Sequence, residues 1–210
     1  RAAQTEQTAP ERYRRIFLGE WGTDTGGLLW TRADIDRARL AVGPTAWHRV
    51  MVAIDPAVTA KTTSDETGIL VVAVDKERRG YVLEDLSGRY SPNDWASVAL
   101  TAARKYNAAI VAETNQGGDM VTAVIKSLGD RAHGVRIVDV RASRGKLARA
   151  EPIYSLYQEG RVFHVGPFPA LEAQMLQFNP DAAGQSPDRV DALVWGLSAL
   201  LLKPSSPFVV

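Results

Sequence analysis

The sequence has no cysteine among its 210 residues. That excludes disulfides, thiolate metal ligands and cysteine nucleophiles together. It has no excess of either charge: 25 Lys and Arg stand against 24 Asp and Glu, a formal charge of +1. Such a balance makes no bulk electrostatic case for a nucleic-acid partner, so a polyanion must be met by a local basic face. It lacks any apolar run approaching the ~18 residues of a membrane-spanning helix, and it lacks a signal-peptide pattern. The chain opens on Arg1 rather than Met, and it reads as a piece of a longer protein. What is present is material for a core: 45% hydrophobic against 23% charged residues places the chain among globular sequences. Its length suits one sizeable domain with an appendage.

Residues 1–46 are rich in Arg, Gly and Thr, and Pro10, Gly22, Gly26, Gly27, Gly43 and Pro44 interrupt any long element. They read as a lead-in segment before a domain over 47–210. A small helix is expected over 31–40, with Thr31 as cap and Asp34 in its first turn. From His48 the pattern sharpens. HRVMVAID is an apolar run that stops at Asp55-Pro56, as a buried strand would. GILVVAV and GYVLEDL follow as two more strands around a hairpin turn over 75–79. Ser91-Pro92 opens a helix. AAIVA, ending in Glu113, is a fourth strand, residues 118–128 a helix, and 135–140 a fifth strand. Helices over 147–158 and 170–177 come next, separated by a short extended piece at 161–165. A strongly apolar helix over 187–202 closes the pattern.

Short hairpins make the first three strands antiparallel, and helical crossovers make the later ones parallel neighbours. The expectation is an α/β fold with a mixed five-stranded sheet and helices on both faces, a pattern similar to the ribonuclease H-like (RNase H/RuvC-type) fold. In that topology Asp55 and Glu113 end adjacent strands, and Asp191 in the last helix faces them. Acids often end strands and Asp often starts helices, so each alone is weak. All three in this order carry the argument. Three carboxylates at one point repel, and hard divalent cations are the natural compensation. Two Mg²⁺ or Mn²⁺ ions ~3.5–4 Å apart would activate water and stabilise the leaving oxygen of a phosphodiester.

The stretches Asp55-Pro56, Asp65-Glu66-Thr67-Gly68-Ile69, Ala112-Glu113-Thr114-Asn115-Gln116-Gly117-Gly118 and Asp188-Arg189-Val190-Asp191-Ala192-Leu193-Val194-Trp195 resemble the nuclease domain of tailed-bacteriophage terminase large subunits. Arg149-Ala150-Glu151-Pro152 and Gly160-Arg161-Val162 add to the resemblance, which runs from about Val50 to Leu202. It implies a two-metal endonuclease that cuts double-stranded concatemeric DNA during genome packaging. It implies metal ligands at Asp55, Glu113 and Asp191, with Asp55 between two ions. Asp188, one helical turn before Asp191, is a further metal-side candidate. Asp65 is another, less constrained because its loop varies in length across the family. Residues 1–46 would follow the family's packaging ATPase. That domain's G-x-x-x-x-G-K-S/T loop is absent here. Portal and small terminase subunit would be the partners, and the infected bacterial cytoplasm the location.

The basic residues Arg141, Arg144, Lys146 and Arg149 follow the fifth strand and are candidates for phosphate contact. Asn115 and Gln116 are candidates for orienting a carboxylate or touching a phosphate. His48, His133 and His164 share no ligand spacing, and His164 reads as structural. Trp95 and Trp195 fall at helical core spacing and read as packing residues. Three other functions stay open at this level. A Holliday-junction resolvase or transposase-type nuclease of the same fold would use similar acids. An actin-like ATPase would need glycine-rich phosphate loops that Asp55-Pro56-Ala57-Val58 lacks. A non-catalytic DNA-docking module would keep the acids without cleavage.

Overall fold

The computed structural model describes residues 28–56, 66–113, 118–140, 145–179 and 187–202. The strands are β1 (Arg39–Leu40), β2 (Arg49–Asp55), β3 (Gly68–Val74), β4 (Gly80–Asp85), β5 (Ala109–Glu113), β6 (Ile137–Val140) and β7 (Val162–Val165). The helices are α1 (Arg32–Ala38), α2 (Pro92–Lys105), α3 (Gly118–Ser127), α4 (Lys146–Gln158), α5 (Pro169–Gln177) and α6 (Asp188–Leu197). A 3-10 turn at Gly129–Ala132 precedes β6, and a π-helical turn at Ser198–Leu202 extends α6. No helix among the described residues is long and apolar enough to cross a membrane.

The strands form one sheet in the order β1-β7-β4-β3-β2-β5-β6. β2, β3 and β4 are an antiparallel meander, while β5 lies parallel to β2 and β6 parallel to β5. This is the mixed ribonuclease H-like sheet expected, with one correction: it has seven strands among the described residues, not five. The added pair is β7, parallel to β4, and β1, parallel to β7. β7 is the extended piece expected at 161–165, and β1 takes the end of the helix expected over 31–40, which stops at Ala38. Both are short and pair only with sequence-distant partners, so no local pattern shows that they join the sheet.

Part of the segment read as lead-in is built into this domain. Thr31 caps α1 through a reciprocal capping box with Asp34. Trp30 is buried edge-to-face against Tyr154, Tyr157 and Phe178. Arg39 on β1 reaches Glu172 on α5. His164 on β7 is buried between the Tyr157 hydroxyl, 2.8 Å away, and Glu172. Burial lowers the pKa of His164. It is the structural histidine expected.

Strand alternation sorts the apolar side chains into two cores. Met51, Ala53, Leu70, Val72 and Val111 join the core under α4, α5 and α6. Val52, Ile54, Ile69, Val71, Ile110 and Ala112 join the core under α2 and α3. Helix α6 lies on β2 and β3 because two glycines leave room. A methyl group on Gly196 would stand 2.6 Å from Val72 Cγ2 and 3.0 Å from Ala53 Cβ. One on Gly68 would stand 2.0 Å from the backbone oxygen of Asp188.

That last contact generates a prediction. Gly68→Ala should force the first turn of α6 off the sheet and destabilise the domain by about 1–3 kcal/mol, the usual cost of overpacking. For a chain of this size that lowers the melting temperature by roughly 2–4 °C per kcal/mol. A thermal midpoint equal to that of the unsubstituted chain would show that α6 is not held at this point.

Candidate active site: four carboxylates at one sheet edge

The parity of two strands places the first two acids. Asp55 continues the series Met51 and Ala53, and Glu113 follows Val111 by two, so both side chains share the α6 face. Ile54 stands opposite Ala112 in the parallel β2–β5 register, which makes Asp55 and Glu113 neighbours at the strand ends. Asp55 is also paired with Gly68, the residue that touches Asp188. The helix then contributes one stripe. Asp188, Asp191 and Trp195 recur at i, i+3 and i+7, a spacing that puts them on one side of α6. Asp188 and Asp191 lie in its first turn, where the helix dipole favours negative charge.

Arg189 ties that turn down on the flank of the acids. Its Nε donates to Asp85 Oδ2 at 3.0 Å, its Nη1 to Glu66, and its backbone N–H to Gln174 Oε1 at 3.0 Å. Arg189 itself is buried, while Asp85 and Glu66 are only partly so. Sequence reasoning passed over it. A lone arginine between two aspartates in an apolar helix was the available signal.

Two cations from α4 meet the acids. Lys146 Nζ stands 2.8 Å from Asp191 Oδ2, and Arg149 Nη1 stands 3.3 Å from Glu113 Oε2. The Arg149 guanidinium lies over the Trp195 ring, 4.5 Å from its centroid. Trp195 Nε1 donates to the same Glu113 oxygen at 3.1 Å. Trp195 is buried as expected, but its one polar atom is committed to a candidate site residue. The two described members of the basic cluster thus turn toward carboxylates. Arg141 and Arg144 lie outside the described residues, as do Asp65, Asn115 and Gln116.

Asp55 feels the crowding. Burial first, then the carboxylates of Asp191, Asp188 and Glu113, push its carboxyl well above the ordinary carboxylate range, and Lys146 pulls the other way. The donor set is all hard oxygen, the kind Mg²⁺, Mn²⁺ or Ca²⁺ takes. The mutual repulsion that keeps Asp55 from ionising is what a divalent cation would relieve. Among the described residues, no three His, Cys, Asp or Glu side chains are drawn together closely enough to hold an ion as they stand.

The sign of the pH dependence follows. A carboxyl whose pKa is raised by folding stabilises the fold while protonated, and that stability is lost as pH rises through the folded value. The metal-free domain should therefore gain from Asp55→Asn, and the gain should be larger at about pH 8 than at about pH 4. Melting curves of both proteins in chelator at the two pH values check this. An equal gain at both would mean that Asp55 is not crowded by its neighbours.

Residues 52–200 match the family model described as terminase RNaseH-like domain. No curated protein sequence matches the chain. Among solved structures, the large terminase nuclease domain of phage P22 superposes with a TM-score of 0.60 at 11% identity, over 80% of this chain and 89% of that one. The large terminase nuclease of thermophilic phage G20c, with bound zinc, gives 0.59 at 14% identity, over 79% and 96%. The large terminase of thermophilic phage D6E, in complex with ADP, gives 0.65 at 10% identity, over 95% of this chain but 50% of that one. At these identities the superpositions show a shared fold, and the chain spans half the D6E protein. The family model covers most of the chain, and on that ground the chain belongs to the terminase RNase H-like domain family.

Proposed function

We propose that this domain is a divalent-metal-dependent endonuclease that cleaves double-stranded concatemeric viral DNA during genome packaging. The observation that carries the reading is the convergence of Asp55, Glu113, Asp188 and Asp191 on one sheet edge, in a member of this family. The G20c nuclease with bound zinc, and the phage SPP1 nuclease domain with bound manganese, are in keeping with a cation requirement.

In this reading Asp55, Glu113 and Asp191 would hold the divalent cations, with Asp188 as a further candidate ligand. Bound Mg²⁺ or Mn²⁺ would supply charge neutralisation at the scissile phosphate and lower the pKa of the attacking water. The protein's own task is to hold the oxygens in place. Strands β2 and β5 fix Asp55 and Glu113, and the Arg189 tie fixes the first turn of α6. Lys146, whose side chain is 40% exposed, would leave Asp191 for a DNA phosphate, while Arg144, Asn115 and Gln116 complete the DNA contacts. The whole protein would join a packaging ATPase to this nuclease and work with portal and small terminase subunit in the infected bacterial cytoplasm.

The test is supercoiled plasmid with Mg²⁺, Mn²⁺ or chelator. Nicked and then linear plasmid is expected with either metal and none with chelator, with little sequence preference, because no described element offers a base-reading helix. Asp191→Asn should reduce cleavage by orders of magnitude, because it removes a candidate metal ligand at nearly constant volume. Intact plasmid in Mn²⁺ would leave the domain a docking module.

A further inference from the structure

We propose that Trp195 and Arg149 are positioning residues for Glu113, which tie down one carboxylate oxygen and reserve the other for a divalent cation. The inference rests on the nuclease reading above. Both donors converge on a single atom: Glu113 Oε2 accepts from Trp195 Nε1 at 3.1 Å and from Arg149 Nη1 at 3.3 Å. Oε1 accepts from neither. A carboxylate free to rotate would present its two oxygens interchangeably. One held at Oε2 by two donors from different helices presents a defined face.

The donors are themselves largely buried. Trp195 is 6% exposed, and its indole N–H is a donor only, in the fixed plane of the ring. Arg149 is 14% exposed at the side chain and its guanidinium lies over that ring, 4.5 Å from the centroid, a cation–π contact that restrains the group reaching Glu113. Each donor holds the other as well as the acid. Lys146, one turn earlier on α4, is the contrast: a flexible stem, 40% exposed, with no ring beneath it among the described residues. Packing alone does not require this arrangement. A phenyl ring at position 195 would fill much of the same space and carry the same cation, but it would leave Glu113 one donor short. Partners that orient a metal ligand in this way commonly change metal affinity or activity by about 10–100-fold when removed.

Trp195→Phe deletes the N–H and keeps an aromatic ring. Trp95→Phe is the matched control, because Trp95 is buried in the other core under α2. Mn²⁺ binding is measured by titration calorimetry and by the loss of free-ion signal in electron paramagnetic resonance. Melting temperature is followed alongside. Trp195→Phe is expected to weaken Mn²⁺ binding about tenfold or more, while Trp95→Phe leaves it unchanged however far its melting temperature falls. Arg149→Lys keeps the positive charge but loses the planar stack. It should weaken Mn²⁺ binding in the same direction, and it serves if Trp195→Phe does not fold. Wild-type affinity in both Trp195→Phe and Arg149→Lys would overturn the assignment and leave the nuclease reading intact. Absence of Mn²⁺ binding by the unsubstituted chain would overturn the metal-site reading and this inference with it.

Discussion

The site depends on a contact in which one partner has no side chain. Gly68 lets the first turn of α6 lie directly on the end of β3, with the Asp188 backbone where a methyl group would be. Gly196 does the same further along the helix, against Val72 and Ala53. Between them they fix how close and at what height α6 crosses the sheet. Asp55 is paired with Gly68 across the β2–β3 ladder, so the same residue that admits the helix adjoins the central acid. Placing Asp188 and Asp191 beside Asp55 is then a consequence of backbone contact, which varies less than side-chain contact does. Arg189 secures the turn from the flank by bonding Asp85 and Glu66.

How much of this the sequence disclosed depends on the range of each interaction. β2 was legible because the apolar run over 50–54 ends at an acid and a proline, all local information. The capping of α1 by Thr31 and of α2 by Ser91 was legible for the same reason, since a cap binds within its own first turn. The relation of Asp55 to Glu113 needed one further rule, that helical crossovers set neighbouring strands parallel. The partners of Trp195 and Arg189 were not legible. Spacing assigned Trp195 correctly to the core, but only the folded chain brings its N–H to Glu113, 82 residues away. Lys146 and Arg149 were recognisable as a basic pair. Whether such a pair faces DNA phosphates or the chain's own carboxylates is a tertiary fact.

The edge strands show the same limit from another side. β7 is the extended piece expected at 161–165 and β1 falls at the end of the helix expected over 31–40, but with four and two residues neither announces that it joins the sheet. They are held by a polar network instead of a periodic apolar face: Arg39, Glu172, His164 and Tyr157 in sequence. Burial works to raise the Glu172 carboxyl, but Arg39 and His164 outweigh it and hold its pKa below the ordinary value. Its strands β7 and β1 lie three and four places from β2 in the sheet, so β1 is anchored well away from the acids.

Concentrating carboxylates is unfavourable to folding, and the chain compensates for it unequally. Lys146 answers Asp191 with a flexible, half-exposed ammonium, whose contribution solvent and salt reduce. Arg149 answers Glu113 with a guanidinium that is mostly buried and stacked, a pair that is costly to break because the partner would be left desolvated. Asp55, between them, has neither for itself and bears the pressure of three neighbouring carboxylates. The order of these three acids, from firmly paired through loosely paired to uncompensated, is the order in which an incoming cation would find resistance. The crowding at Asp55 is therefore the least compensated point of the cluster, and the stacked pair at Glu113 is the most firmly held.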